Sequence, residues 1–189
     1  LPCSPSAWRV APPFVLESSS QHFAASEYTV ALADGSYAVS EPSMKLAVVV
    51  NRPDRVEITL SEDDGLPHTL IGGFIALTIP GHFIFQATDA TENGAPVEKK
   101  PHEGSTYIPV RVAKTGEVAW YIGPKKHCDL DCATLLSSHG FRQDGNGDWR
   151  SPKNLPRTAV LAFYEELAAL LDRNPDIWEA VRIVRIAGS

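Results

Sequence analysis

"SEYTVALADGSYAVSEPSMKLAVVVNRPDRVEITLSEDDG", residues 26–65, is a series of short apolar runs set apart by Asp34-Gly35, Glu41-Pro42, Asn51 to Asp54 and Asp63 to Gly65. Turn signals that recur about every ten residues mark an antiparallel meander. Within it Val56, Ile58 and Leu60 alternate with Arg55, Glu57 and Thr59, so this strand has one dry face and one wet one. Leu46 to Val50 lacks alternation, which predicts a central strand covered on both sides.

The same texture continues on either side. "PFVLES" at 13–18 reads as a short strand. "HTLIGGFIALTIPGHFIFQAT" at 68–88 reads as two strands joined at Pro80-Gly81, with Gly72 and Gly73 marking a bulge or bend. Residues 89–105 are polar, carry two prolines and two glycines, and read as a long exposed loop. "TYIPVRVAKTGEVAWYIGP" at 106–124 is a hairpin turning at Lys114 to Gly116, with Pro109 placing its first strand near an edge.

After Pro124 the pattern changes. Asp129 or Asp131 is placed to cap a short helix that stops at Gly140, and "GFRQDGNGDWR" at 140–150 reads as a tight hairpin. Val160, Tyr164, Leu167 and Leu171 repeat at helical spacing behind Pro156, predicting a helix to about Asp172. Asn174 to Asp176 caps a further turn bearing Ile177 and Trp178, and "AVRIVRIAG" at 180–188 closes the chain as a strand.

Strands first, helices next and one last strand predict an α+β fold: an antiparallel β-rich sandwich or partly open barrel with C-terminal helices packed on it. At 189 residues the chain is read as a single domain, 1–189, with an irregular arm at 1–12, a β-rich part at 13–123 and a helix-containing part at 124–189. A net charge of −6 without a basic cluster speaks against nucleic acid as partner. No apolar run reaches the roughly 18 residues of a membrane span. The start "LPCSPSAW" fits a trimmed precursor, so the expected location is periplasmic or extracellular.

Chemistry concentrates in "KKHCDLDCATLLSSHG" at 125–140. With Cys128 and Cys132 both on one helix their Cβ atoms stand roughly 5 to 6 Å apart, too far for a disulfide at about 3.8 Å yet compatible with one metal ion. If the helix begins only after Cys128, an internal bridge closes. The order of expectation is a disulfide first, internal or anchoring the arm through Cys3, then buried thiols, then zinc or copper held by His127, Cys128 and Cys132. The segment "VAWYIGPKKHCDLDC" at 118–132 resembles the copper site of the thioredoxin-fold proteins that deliver copper to cytochrome oxidase, which implies copper on the two cysteines with a later histidine. Asp129 and Ala133 stand where that family has prolines.

Other patterns have plainer readings. "DGNGD" at 144–148 matches half of a calcium loop but lacks its glycine and its bidentate glutamate, so a turn is expected. Ser20 with His22 and Glu62 with Asp63 and Asp64 are read as surface features. His82 is either a ligand-facing residue at a barrel mouth or a hydrogen-bonded neighbour of the core. The resulting expectation is an exported binding or structural module for a small molecule or a protein. Its binding surfaces would be the 89–105 loop and a pocket at Phe74, Phe83 and Trp120. The alternative is a thiol redox or metal-binding protein using Cys128 and Cys132.

Overall fold

The computed structural model describes residues 16–41, 44–62, 67–97, 104–125 and 128–187. Their strands are β1 (Leu16–Ser18), β2 (Gly35–Val39), β3 (Met44–Asn51), β4 (Val56–Glu62), β5 (His68–Ala76), β6 (His82–Glu92), β7 (Ala95–Pro96), β8 (Ser105–Val112), β9 (Val118–Pro124), β10 (Arg142–Gln143), β11 (Trp149–Arg150) and β12 (Trp178–Arg185). The helices are α1 (Leu130–Ser138) and α2 (Arg157–Arg173). The arm at 1–12, Cys3 and His127 lie outside the described residues.

The meander expected from the turn spacing is present, and it closes. β2, β3, β4, β5, β6, β8, β9 and β12 pair antiparallel in chain order, and β12 then pairs with β2. The result is an eight-stranded up-and-down barrel rather than a sandwich or an open sheet. β1 adds to the outer flank of β8, and α1, the β10–β11 hairpin and α2 all lie between the last two barrel strands.

Alternation along each strand divides the apolar residues into two cores. Inward side chains such as Val49, Ile58, Phe74, Phe85, Val110, Trp120 and Ile183 fill the lumen. Outward ones such as Ile84, Tyr107 and Tyr121 pack beneath Leu136, Phe163, Leu167 and Leu171 of the helices. The period of two thus serves two solvents on one side of the barrel: lumen and helix layer.

Several turns follow directly from residue chemistry. His82 donates its backbone N–H to Ile79 O at 3.1 Å across Pro80-Gly81, with Gly81 at φ 81°, a left-handed position that glycine takes without cost. The register of β5 on β6 shifts between Ile71 and Gly72, the bulge expected there. A Cβ on Gly72 would lie 1.9 Å from the Gln86 carbonyl oxygen, so glycine is what allows the two strands to approach.

Four expectations need correction. Leu46, Val48 and Val50 face outward and are only half-buried, while Ala47 and Val49 are fully inside. The strand is therefore covered on one side. Asp89 to Glu92 is not loop but the end of β6, paired with β5 and with β7. Pro109 is not on an edge strand; β8 is flanked on both sides, and Pro109 lies at the break where β8 exchanges β1, paired up to Tyr107, for β9, paired from Val110. Trp178 belongs to β12 rather than to a preceding turn, because Pro124 and Gly123 extend β9 to meet it.

Candidate functional site

The three aromatics read as a pocket are brought together in the lumen. The Phe74 ring lies 6.3 Å from Phe83 and 5.9 Å from Trp120, and Phe85 joins them at 5.1 Å from Phe74 and 5.2 Å from Trp120. Phe83 is half-buried near the end where Leu32 also points inward, whereas Phe74 is fully buried. Toward the other end the walls are aliphatic and smaller: Ala47, Leu60, Leu70 and Val181. There a cavity of about 20 Å³ remains against Trp120. The lumen is thus a cup with an aromatic floor and an aliphatic rim.

Its chemistry is uniform. Among the described residues, the buried lumen side chains are apolar except for the Tyr37 hydroxyl, which donates to Ala33 O at 2.8 Å, and the Trp120 indole N–H. Such a wall selects mainly by shape and apolarity. A second depression of about 70 Å³ lies outside the floor, lined by Tyr28, Val30, Arg52, Arg55 and Gly73 among others. Its arginines are occupied with Asp54 and Glu57.

The cysteine segment is settled by where α1 starts. Asp129 is the N-cap, its carboxylate accepting the Cys132 N–H at 2.9 Å, so Cys128 precedes the helix and is free of helical spacing. Cys128 and Cys132 form a disulfide with their Cα atoms 5.5 Å apart. This closes the internal bridge and removes both thiolates that zinc or copper would need. A Cys3 bridge to either partner is likewise excluded while this one stands. Among the described residues no group of three or more His, Cys, Asp or Glu is placed to hold a metal.

No family model, curated protein or solved structure matches the chain.

The remaining polar candidates have structural partners. The Asp144 carboxylate accepts N–H bonds from Asn146 and Asp148 and pairs with Arg150, so the calcium-like letters build a turn. His22 contacts Leu155 O through Nε2 at 2.8 Å and stacks on Tyr107, well apart from any role with Ser20. His82 faces outward and is buried under α2, with Nε2 at 3.5 Å from an Asp172 carboxylate oxygen. It is a neighbour of the core, not a lumen residue.

Sequence reasoning missed a fully buried polar residue with four side-chain hydrogen bonds. Gln86, fully buried on the outer face of β6, accepts from His22 and Phe23 N–H at 3.1 Å each and donates to Phe23 O at 2.9 Å and to the Tyr28 hydroxyl at 2.7 Å. It clips the segment before β2 onto the barrel. No local pattern marks it, because its partners lie about sixty residues away. The Tyr121 hydroxyl and Trp178 Nε1 are buried without a hydrogen-bond partner beneath the same helix layer.

Proposed function

We propose that the chain is an exported binding barrel that takes a small, uncharged apolar ligand at the aliphatic end of its lumen, against Trp120. The observation that carries this reading is the unfilled space at Trp120 inside a closed eight-stranded barrel lined mainly by apolar side chains, a size that holds one small ligand or none. About 20 Å³ admits little more than one methyl group, so a longer ligand requires the Leu60 and Leu70 side chains to move aside. Export is supported by the Cys128–Cys132 bridge, which belongs in an oxidising compartment.

Titration with the n-alkanols from hexanol to decanol tests the binding. The expected result is a saturable change in tryptophan emission, absent in Trp120→Phe, together with a rise in melting temperature that Ala47→Val, which fills the space, abolishes. If no alkanol changes emission or melting temperature, the lumen is a solid core and the ligand reading is lost. Trapping of free thiols in intact cells tests export: Cys128 and Cys132 are expected to resist alkylation until reductant is added. The small size of the cavity favours a second reading, an exported structural module that works through its outer surface, and the same titration separates the two.

A further inference from the structure

The chain has five asparagines, at 51, 93, 146, 154 and 174, and the structure sets one of them apart. An asparagine side-chain amide is lost when the backbone nitrogen of the next residue attacks its Cγ. This requires a free side chain, an unengaged N–H on the following residue, and no bulky side chain crowding that nitrogen. Asn174 is followed by Pro175, which has no N–H. Asn51 donates from Nδ2 to Leu32 O and Asp34 Oδ1, and the Arg52 N–H is taken by Arg55 O at 2.7 Å. Asn154 accepts the Ser19 N–H on Oδ1 and is followed by the branched Leu155. Asn146 does precede a glycine, but the Gly147 N–H donates to Asp144 O at 3.0 Å, in a turn that Asp144 also braces through Arg150.

Asn93-Gly94 meets all three conditions. These two residues join β6 to β7 with φ 50° at Asn93 and 76° at Gly94, the left-handed pair of a type I′ turn. In such a turn the closing hydrogen bonds run between the flanking residues, here Glu92 and Ala95, and the Gly94 N–H lies outside the ladder. Among the described residues neither that N–H nor the Asn93 side-chain amide has a hydrogen-bond partner. Both residues are exposed, and the space beside Gly94 is open.

We propose that Asn93 is a site of spontaneous deamidation and isoaspartate formation, the position at which the folded chain is modified first. The Gly94 nitrogen gives up its proton and bonds to Asn93 Cγ; the Cγ–Nδ2 bond breaks, and Nδ2 leaves with that proton as ammonia. The resulting succinimide takes up one water. Opening at Cγ yields aspartate, and opening at the Asn93 main-chain carbonyl carbon yields isoaspartate, whose backbone then runs through Cβ and Cγ. Water is the only co-reactant.

Isoaspartate lengthens a two-residue turn by one backbone atom, and the register of a hairpin is set by its loop. The bonds at stake are Val97 N–H to Ala90 O at 2.9 Å and Asn93 N–H to Pro67 O at 2.8 Å. Their loss frees β7, a strand of two exposed residues, and uncovers the edge of β6 at Thr91 and Glu92.

Incubation of the folded full chain in mildly alkaline buffer, followed by ion exchange and peptide mapping, tests this. The expected product carries one negative charge more than the starting −6, with aspartate and isoaspartate at position 93 and Asn146 intact. In urea both Asn-Gly pairs are expected to convert alike, since the Asp144 turn no longer holds Gly147. Asn93→Gly, which suits a left-handed turn position, should abolish the acidic product, and Asn146→Gly should leave it unchanged. The Val97 amide of the isoaspartate form should exchange its hydrogen faster than in the fresh chain. Folded-state conversion at Asn146 as fast as at Asn93, or none at Asn93 over a time in which the urea-unfolded chain converts, would overturn the proposal. Unchanged exchange at Val97 would overturn the release of β7.

Discussion

The imidazole of His82, at the start of β6, and the carboxylate of Asp172, in the last turn of α2, approach within 3.5 Å, joining barrel to helix at a point where the histidine is buried and the aspartate half-exposed. The contact falls short of a well-formed hydrogen bond and leaves Nε2 without a full partner. Arg111, the cross-strand neighbour of His82, also faces Asp172, at 4.0 Å.

A pH dependence follows from that contact. Burial holds the His82 pKa below the ordinary histidine value, with Arg111 acting in the same direction and Asp172 opposing. The unfolded chain therefore binds this proton first. The His82 contribution to stability is flat above about pH 7, falls as the pH drops below about 6.5 with a slope of at most about 1.4 kcal/mol per pH unit, and levels off below the folded pKa. His82→Gln is expected to remove that slope in urea unfolding curves between pH 7 and 5; an unchanged slope assigns the effect to other groups.

Gln86→Leu keeps the volume and deletes four hydrogen bonds at a fully buried site, orphaning the Phe23 N–H, while the His22 N–H keeps the Tyr107 hydroxyl and the Phe23 carbonyl and Tyr28 hydroxyl keep Gln21 Nε2. The expected loss is roughly 2 to 4 kcal/mol, read as a lower urea midpoint. Limited proteolysis is expected to cut first between residues 19 and 28, where the clip held the chain.

The two neighbouring glycines are expected to respond unequally to alanine. At Gly72 the new Cβ meets the Gln86 backbone carbonyl at 1.9 Å, and the β5–β6 ladder must separate. At Gly73 it meets Cγ and Cδ2 of the Tyr28 ring at 2.1 Å, a side chain that can rotate away at the loss of its hydrogen bonds to Gln86 and Gln21. Gly72→Ala should therefore be the more destabilised in thermal melts, by at least about 1 kcal/mol.

Removing the disulfide is expected to be tolerated. A bridge across four residues restrains little of the unfolded chain, about 2 kcal/mol on the loop-entropy model. Cys128→Ala with Cys132→Ala should thus lower the melting temperature by roughly 4 to 8 °C and leave the circular dichroism spectrum native. Loss of the fold would show instead that the bridge positions α1 as well as stapling it.

Much of the architecture was readable as letters. Asp34-Gly35, Pro80-Gly81 and Lys114 to Gly116 located the strand ends, the Val160 to Leu171 repeat located α2, and Asp129 or Asp131 bracketed the start of α1, which the structure places at the Asp129 cap. These are local properties, fixed by backbone preference and by the spacing of apolar side chains within one element. The meander itself follows from them, because sequential antiparallel strands pair with their neighbours.

What only the tertiary structure decided was long-range. Closure depends on Ile183 of β12 lying beside Val39 of β2, a pairing set by accumulated twist and stagger around the barrel rather than by either strand's composition. Alternation told which residues share a face but not what covers that face, so Leu46 and Val48 read as buried on both sides until their outer neighbours were seen. The same holds for Phe85, whose ring completes the cluster that Phe74, Phe83 and Trp120 were expected to form, and for Gln86 and His82, whose partners come from other elements. Contacts of this kind exist only once the chain has been folded back on itself.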